Sequence, residues 1–349
     1  MQNQISKLLS SAINEHKISN AYIFYGTPGS GKEALALEFA KEISSTVSEK
    51  FISSDNIFFI IPAKKDFYEK LFKSKSFDSE EYKNWKNFLS NKIHNPLQKK
   101  ILSDSKNIPV EAIKNLKEKI YFKSKKRKVV LIFNSEALSH GSAESANMLL
   151  KILEEPPKNT TFILVTDLID QVKPTIKSRC QTIYVPRLTS DVISKIFSTN
   201  KNFSTEFISF IADNNLNTID SLVLWNEAKV LDCIKSYINA IRFKNADSIS
   251  NFINSTLDLY SSSKDEFNLS FKVIKKFIKL LSIQNQSIDC KIGFNDFEEL
   301  ALIVSSKYIN MNHVELVKNI EEFHQTLNAN ANPQLSLMNM IINSNKALN

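Results

Sequence analysis

The sequence predicts an α/β amino-terminal domain built on a parallel sheet, followed by an all-α remainder, and three observations predict it. Five short β-branched or aromatic runs alternate with helix-period segments up to residue 186, the pattern of strand–helix units around a parallel sheet. Beyond residue 187 the strand signal vanishes and the apolar patterns have helical spacing. Glycine is nearly absent, with five in 349 residues against roughly 24 for average usage, yet three of the five fall between positions 26 and 31.

The first run, AYIFY (21–25), leads through a glycine turn into the helical segment EALALEFAKEI (33–43). NIFFII (56–61) is the second strand, VEAIKNLKEKI (110–120) a helix and VVLIF (129–133) the third strand. AESANMLLKILEE (143–155) is a helix that stops at Pro156-Pro157, since proline cannot continue it. TFILV (161–165) and TIYVP (182–186) complete the sheet, and such continuous apolar runs suit strands covered on both faces. In the second half, DVISKIFS, EFISFIADN, IDSLVLW, KVLDCIKSYINAI, FNLSFKVIKKFIKLLSI and HVELVKNIEEFHQTL are helical. Asn/Ser/Thr breaks such as STNKNFS (198–204) and YSSSKDEF (260–267) separate them.

With 42% hydrophobic and 23% charged residues, the chain is long enough for two or three domains with cores of their own. The apolar runs are far too short to span a bilayer. MQNQISKLLS has no basic region followed by an apolar one, so a cytoplasmic protein without membrane attachment is expected. Cys180, Cys233 and Cys290 lie more than 50 residues apart, which gives neither a disulfide framework nor a metal knuckle and reads as buried thiols. Residues 64–128 hold 19 Lys+Arg against 8 Asp+Glu, an excess of +11 in a chain of formal charge +8. Phe67, Tyr68, Phe72, Tyr82 and Trp85 interleave with those lysines. A DNA-backbone contact and a protein-contacting insertion are both open for this segment, against a composition that favours lysine throughout.

Gly26-Thr27-Pro28-Gly29-Ser30-Gly31-Lys32 is the GxxxxGK part of a Walker A motif, in the required strand–loop–helix context. Glycines let successive backbone N–H groups turn inward around an anion, the helix N-terminus adds partial positive charge, and Lys32 reaches the outer phosphates. The next residue should be Ser or Thr, whose hydroxyl ligates magnesium; here it is Glu33. The third strand should end in Asp-Glu, yet the chain reads Phe133-Asn134-Ser135-Glu136. Glu136, three residues late, reads as a polar loop residue, with a reach into the site as the alternative. Both departures predict that ATP or ADP with Mg²⁺, where bound, is not turned over.

SANMLLKILEEPP (145–157), TFILVT (161–166), PTIKSRCQTI (174–183) and HKISNAYIFYGTPGSGK (16–32) resemble the clamp-loader branch of the AAA+ ATPases. NANANPQLSLMNMII (328–342) resembles the last helix of its bacterial members. The resemblance implies an AAA+ RecA-like domain (1–186, with a Lys-rich insertion at 62–108), a helical lid (187–226) and a helical collar (227–349). It implies that Arg179 of the SRC motif serves a neighbouring subunit's nucleotide as an arginine finger, and that Thr166 is the first sensor. Thr166 and residues 26–33 would line this chain's own nucleotide site. Motor members carry a four-cysteine zinc module, but 62–108 has no cysteine, so no zinc is expected. They also carry a lid arginine, and the matching position here is Asp220. An ATPase-poor member is therefore implied, with gamma/tau motor and delta subunits as partners and the sliding clamp and primer–template DNA reached through the complex. An active ATPase using Glu33 and Glu136, and a DNA-binding AAA+ protein outside the replisome, are the rival readings.

Overall fold

The computed structural model describes residues 2–44, 54–73, 80–95, 102, 105–140, 143–197, 202–243, 245–286 and 291–348. They form two compact units, Met1–Leu188 with Asn215–Asn217, and Thr189–Asn214 with Thr218–Asn349.

In the first unit, β1 (Ala21–Tyr25), β2 (Ile57–Ile60), β3 (Lys128–Phe133), β4 (Thr160–Thr166) and β5 (Gln181–Tyr184) make one sheet in the order β2-β3-β4-β1-β5. Every pairing is parallel. Around the sheet lie α1 (Gln2–Asn14), α2 (Lys32–Ser44), α3 (Lys65–Lys73), α4 (Glu80–His94), α5 (Val110–Ile120), α6 (Glu144–Glu154) and α7 (Pro174–Lys177). Strand alternation sends Tyr22 and Phe24 into one core with Leu9, Phe39, Trp85 and Phe88. Ala21 and Ile23 enter the opposite core with Leu116, Leu149 and Ile176. Helices therefore cover both faces, and β3 and β4 are buried along their whole length.

The last strand departs from that pattern. Only Ile183 of β5 is buried, and Tyr184 is 50% exposed, so this edge strand is covered on one face alone. Lys128 opens β3 and buries its ammonium against the C-terminus of α5, donating to Ile120 O at 2.7 Å and to Phe122 O. Carbonyls at a helix C-terminus suit a cation, and burial holds this lysine's pKa below its usual value.

The described helices of the insertion pack against the sheet's cores. Tyr68 is fully buried, its hydroxyl donating to Ile61 O at 2.8 Å and accepting from Ile61 N–H at 3.0 Å. Trp85 stacks on Phe88 with ring centroids 5.8 Å apart. Tyr68 and Trp85 are core residues, so these two offer no platform on which bases could stack. The side chain of Phe72 lies outside the described residues.

The rest is helical: α8 (Ser190–Phe197), α9 (Thr205–Ala212), α10 (Leu216–Leu222), α11 (Glu227–Ile241), α12 (Ala246–Ser262), α13 (Lys264–Asn285), α14 (Asn295–Lys307), α15 (His313–Asn328) and α16 (Pro333–Lys346). The polar breaks are helix starts. Ser204, Asn226, Asn245, Ser263, Asn312 and Asn332 each accept a hydrogen bond from the amide three residues on, which satisfies a donor the helix cannot. YSSSKDEF thus shrinks to one non-helical residue, Ser263, between α12 and α13. Phe267, Phe271 and Phe277 of α13 anchor this unit's core.

Phe162 is fully buried in the central strand β4. Truncation by Phe162→Ala should cost about 3–5 kcal/mol, read as a lower urea midpoint for the α/β unit at unchanged slope.

Candidate functional site

The carboxyl ends of β1, β3 and β4 meet in one place. Tyr25 pairs with Thr166 and Phe133 with Val165, so the glycine loop, Asn134 and Thr166 sit side by side. Crevices of this kind, where the strand order changes direction, are where open α/β sheets take ligands. The loop backbone is tight at two glycines. A Cβ at Gly26 would lie 2.2 Å from Val185 O, and Gly29 has φ +72° with Asn215 Oδ1 2.0 Å from where its Cβ would be. Lys32 opens α2, is buried, pairs with Asp167 and donates to Thr27 O at 3.1 Å. Arg187 Nε donates to Thr27 Oγ1 at 3.1 Å from the far side of the loop.

A phosphate cradle therefore fits these residues, with the condition that an incoming anion compete with Asp167 for Lys32. Magnesium does not fit. Its expected protein ligands come from the position after the lysine and from an acid ending the third strand. Glu33 is already bonded to Lys92 Nζ at 2.5 Å, and Phe133 and Asn134 stand at the end of β3. Among the described residues no group of three or more His, Cys, Asp or Glu is placed to hold a metal.

Glu136 is not the solvated loop residue that its position suggested. Asn134 takes a left-handed conformation (φ 51°) and starts a 3-10 turn over Ser135–Ser139 that tucks Glu136 in, leaving it 7% exposed. Its Oε2 accepts from Thr166 Oγ1 at 2.6 Å, and Leu168 N–H donates to the same hydroxyl at 3.0 Å. The Thr166 hydroxyl thus donates to the loop after the third strand and accepts from the backbone two residues on in its own loop.

Arg179 sits at the other end of the sheet. It precedes β5 by two residues, and Gln181 at the start of β5 pairs with Tyr22 near the start of β1. The cradle follows the last residue of β1, so roughly a strand's length separates the two, at about 3.3 Å per residue. The Arg179 guanidinium donates to Glu154 Oε1 at 2.7 Å and to Thr175 O at 3.0 Å, on the surface. Beside it Cys180 packs against the core of the sheet, and burial pushes its thiol up to about 12. The SRC and LEEPP segments therefore meet through the Arg179–Glu154 pair.

Residues 63–189 match the family described as DNA polymerase III, delta subunit. The tau subunit of DNA polymerase III from Bacillus subtilis is 28% identical over 65% of this chain and 36% of its own length. The delta′ subunit of the same organism is 30% identical over 52% of this chain and 47% of its own. A Buchnera aphidicola delta′ subunit is 27% identical over 73% of this chain and 66% of its own length. By sequence, the chain is similar to DNA polymerase III subunits named tau and delta′. It spans only about a third to two thirds of these relatives' lengths, and relatives named tau and delta′ match it at similar identity.

Three site residues escape sequence reading: Asp167, Arg187 and Lys92. Asp167 was legible in principle, as the residue directly after Thr166. Lys92 had a fainter signal, a lysine on the apolar stripe Trp85, Phe88, Leu89, Ile93 of α4. The helical unit carries a separate open groove of about 1130 Å³ beside α13 and α15. Lys275 and Lys276 there pair with Glu321 and Asp213 respectively. No described helix is long and apolar enough to cross a membrane.

Thr166→Val removes the donor to a buried carboxylate and should cost about 1–3 kcal/mol by urea unfolding, with Thr166→Ser losing less. Cys180 and Cys233, both pushed up to about 12 by burial, should react with Ellman's reagent at neutral pH far more slowly in the native chain than after unfolding.

Proposed function

We propose that the chain is a delta′-type stator of a bacterial clamp loader, which holds the assembly together and lends Arg179 to the nucleotide site of an adjacent motor subunit. The observation that carries the reading is the separation of the two chemistries. The cradle lies at the carboxyl ends of the strands with its metal-ligand positions spent, while Arg179 lies at the amino ends, exposed and out of reach of its own cradle. An arginine so placed serves a phosphate on another chain or none. Its planar fork stays charged and contacts two phosphate oxygens, which suits stabilisation of charge developing on a γ-phosphate. The Glu154 pair is released at small cost, since exposed ion pairs contribute about 0–1 kcal/mol. In this reading residues 187–226 are the lid and 227–349 the collar, the motor and delta subunits are the partners, and the clamp and primed DNA are met through the assembly. A nucleotide at residues 26–33 and Thr166 is held rather than hydrolysed.

One observation favours the motor reading instead: the buried Glu136 carboxylate in the turn after β3, bonded to Thr166. Steady-state ATP hydrolysis by the purified chain separates the two. The stator shows none, whereas hydrolysis abolished by Lys32→Ala establishes the motor. In a loader reconstituted with motor and delta subunits, Arg179→Ala should slow turnover at the site it serves by about three orders of magnitude, with Arg179→Lys rescuing little. Unchanged clamp- and DNA-stimulated hydrolysis would falsify the finger.

A further inference from the structure

The insertion's helix α4 carries one lysine where its apolar stripe calls for a hydrophobe. Trp85, Phe88, Leu89 and Ile93 face the core at helical spacing, and Lys92 lies on the same face, 2% exposed. A buried ammonium needs partners; it lies 5.8 Å from the centroid of the Phe88 ring on its own helix, and two closer groups come from elsewhere. Its Nζ lies 2.5 Å from Glu33 Oε2 and 4.3 Å from the centroid of the Phe133 ring, whose face attracts a cation. Those two residues stand at the places that matter for metal. Glu33 replaces the hydroxyl residue after the loop lysine, and Phe133 stands where the strand should end in an acid; between those two groups a phosphate loop ordinarily holds magnesium.

We propose that the Lys92 ammonium is a resident cation in the place of the divalent metal, so that this phosphate loop works without magnesium. The substitutions then explain one another. Glu33 would set a negative charge against an incoming phosphate, and Lys92 neutralises it. An acid at position 133 is no longer required, and an aromatic ring there accommodates the ammonium. A divalent ion entering the same space would meet a fixed like charge that no chelator can remove. The proposal concerns this chain's own cradle, so it stands whether or not Arg179 serves a neighbour.

The test uses the intact chain and its thermal midpoint in MgCl₂ and in EDTA. The wild-type midpoint should be the same in both. Lys92→Met keeps the apolar stem and frees Glu33, so its midpoint should be lower and should rise by about 2–4 °C when magnesium is supplied in excess. The double variant Lys92→Met with Glu33→Gln should lose that rise. A wild-type midpoint that rises with magnesium, or a Lys92→Met midpoint that ignores it, overturns the proposal. If Lys92→Met does not fold, wild-type ATP titrations in EDTA and in magnesium decide. An ATP response of equal strength in both agrees with a resident cation; no response in either, or a tightening by magnesium of about tenfold or more, refutes it.

Discussion

The pairing of β1 with β4 is the constraint on which the first unit depends. Its register sets Tyr25 against Thr166, so the chain leaves both strands at the same level and the glycine loop has Thr166 and Asp167 beside it. The pairing of β3 with β4 then brings Asn134 to that level. Because all strands run one way, whatever follows a strand joins this cluster and whatever precedes one is exiled from it. Arg179 precedes β5. Had β5 run antiparallel, the same arginine would stand at the cradle. Strand direction alone divides this unit into an end that holds the glycine loop and an end from which Arg179 reaches outward.

Charge at the two ends is handled differently, and magnitudes say why. At the cradle Lys32 pairs with Asp167 and Lys92 with Glu33, with both lysines nearly buried. For such pairs desolvation offsets much of the attraction, yet losing one partner costs about 3–5 kcal/mol because the other is stranded. They fix geometry rather than add much net stability. The Arg179–Glu154 pair is exposed, with side chains 36% and 44% accessible, and pairs of that kind are readily exchanged. A new anion displaces Glu154 easily and Asp167 with difficulty. The same element, an ion pair, locks one site and leaves the other available.

How much of this was legible in the sequence follows from the range of the interactions. The strands, the loop and the helices with strong apolar periodicity are local patterns. The α/β-then-all-α organisation came from them. α12 and α14 lie outside the segments that read as helices. α12 buries little beyond Phe252, Ile253 and Thr256, and its Ser/Asn-rich surface resembles a linker until the Asn245 cap is noticed. β5 looked like its neighbours because periodicity reports apolar character, not position in the sheet. At the site, Gly26–Lys32, Thr166 and Arg179 were legible as motifs. The Lys92–Glu33 bond spans 59 positions, and the burial of Glu136 depends on a left-handed Asn134, a backbone choice that no local pattern announces.

The glycines themselves deserve a second cause. Positive φ at Gly29 and Gly31 suits amides turned toward an anion, and that alone would make three clustered glycines in a glycine-poor chain a phosphate signature. Gly26, however, is pressed against Val185 O and Gly29 against Asn215. A side chain at either position would push apart the β1–β5 connection or the segment Asn215–Asn217, whose Leu216 N–H donates to Gly29 O at 3.0 Å. Packing within the first unit demands these glycines whether or not a phosphate ever enters. Their presence therefore argues for the loop's shape and not for its chemistry. The chemistry rests on the charges that surround it, and those charges are already paired with one another.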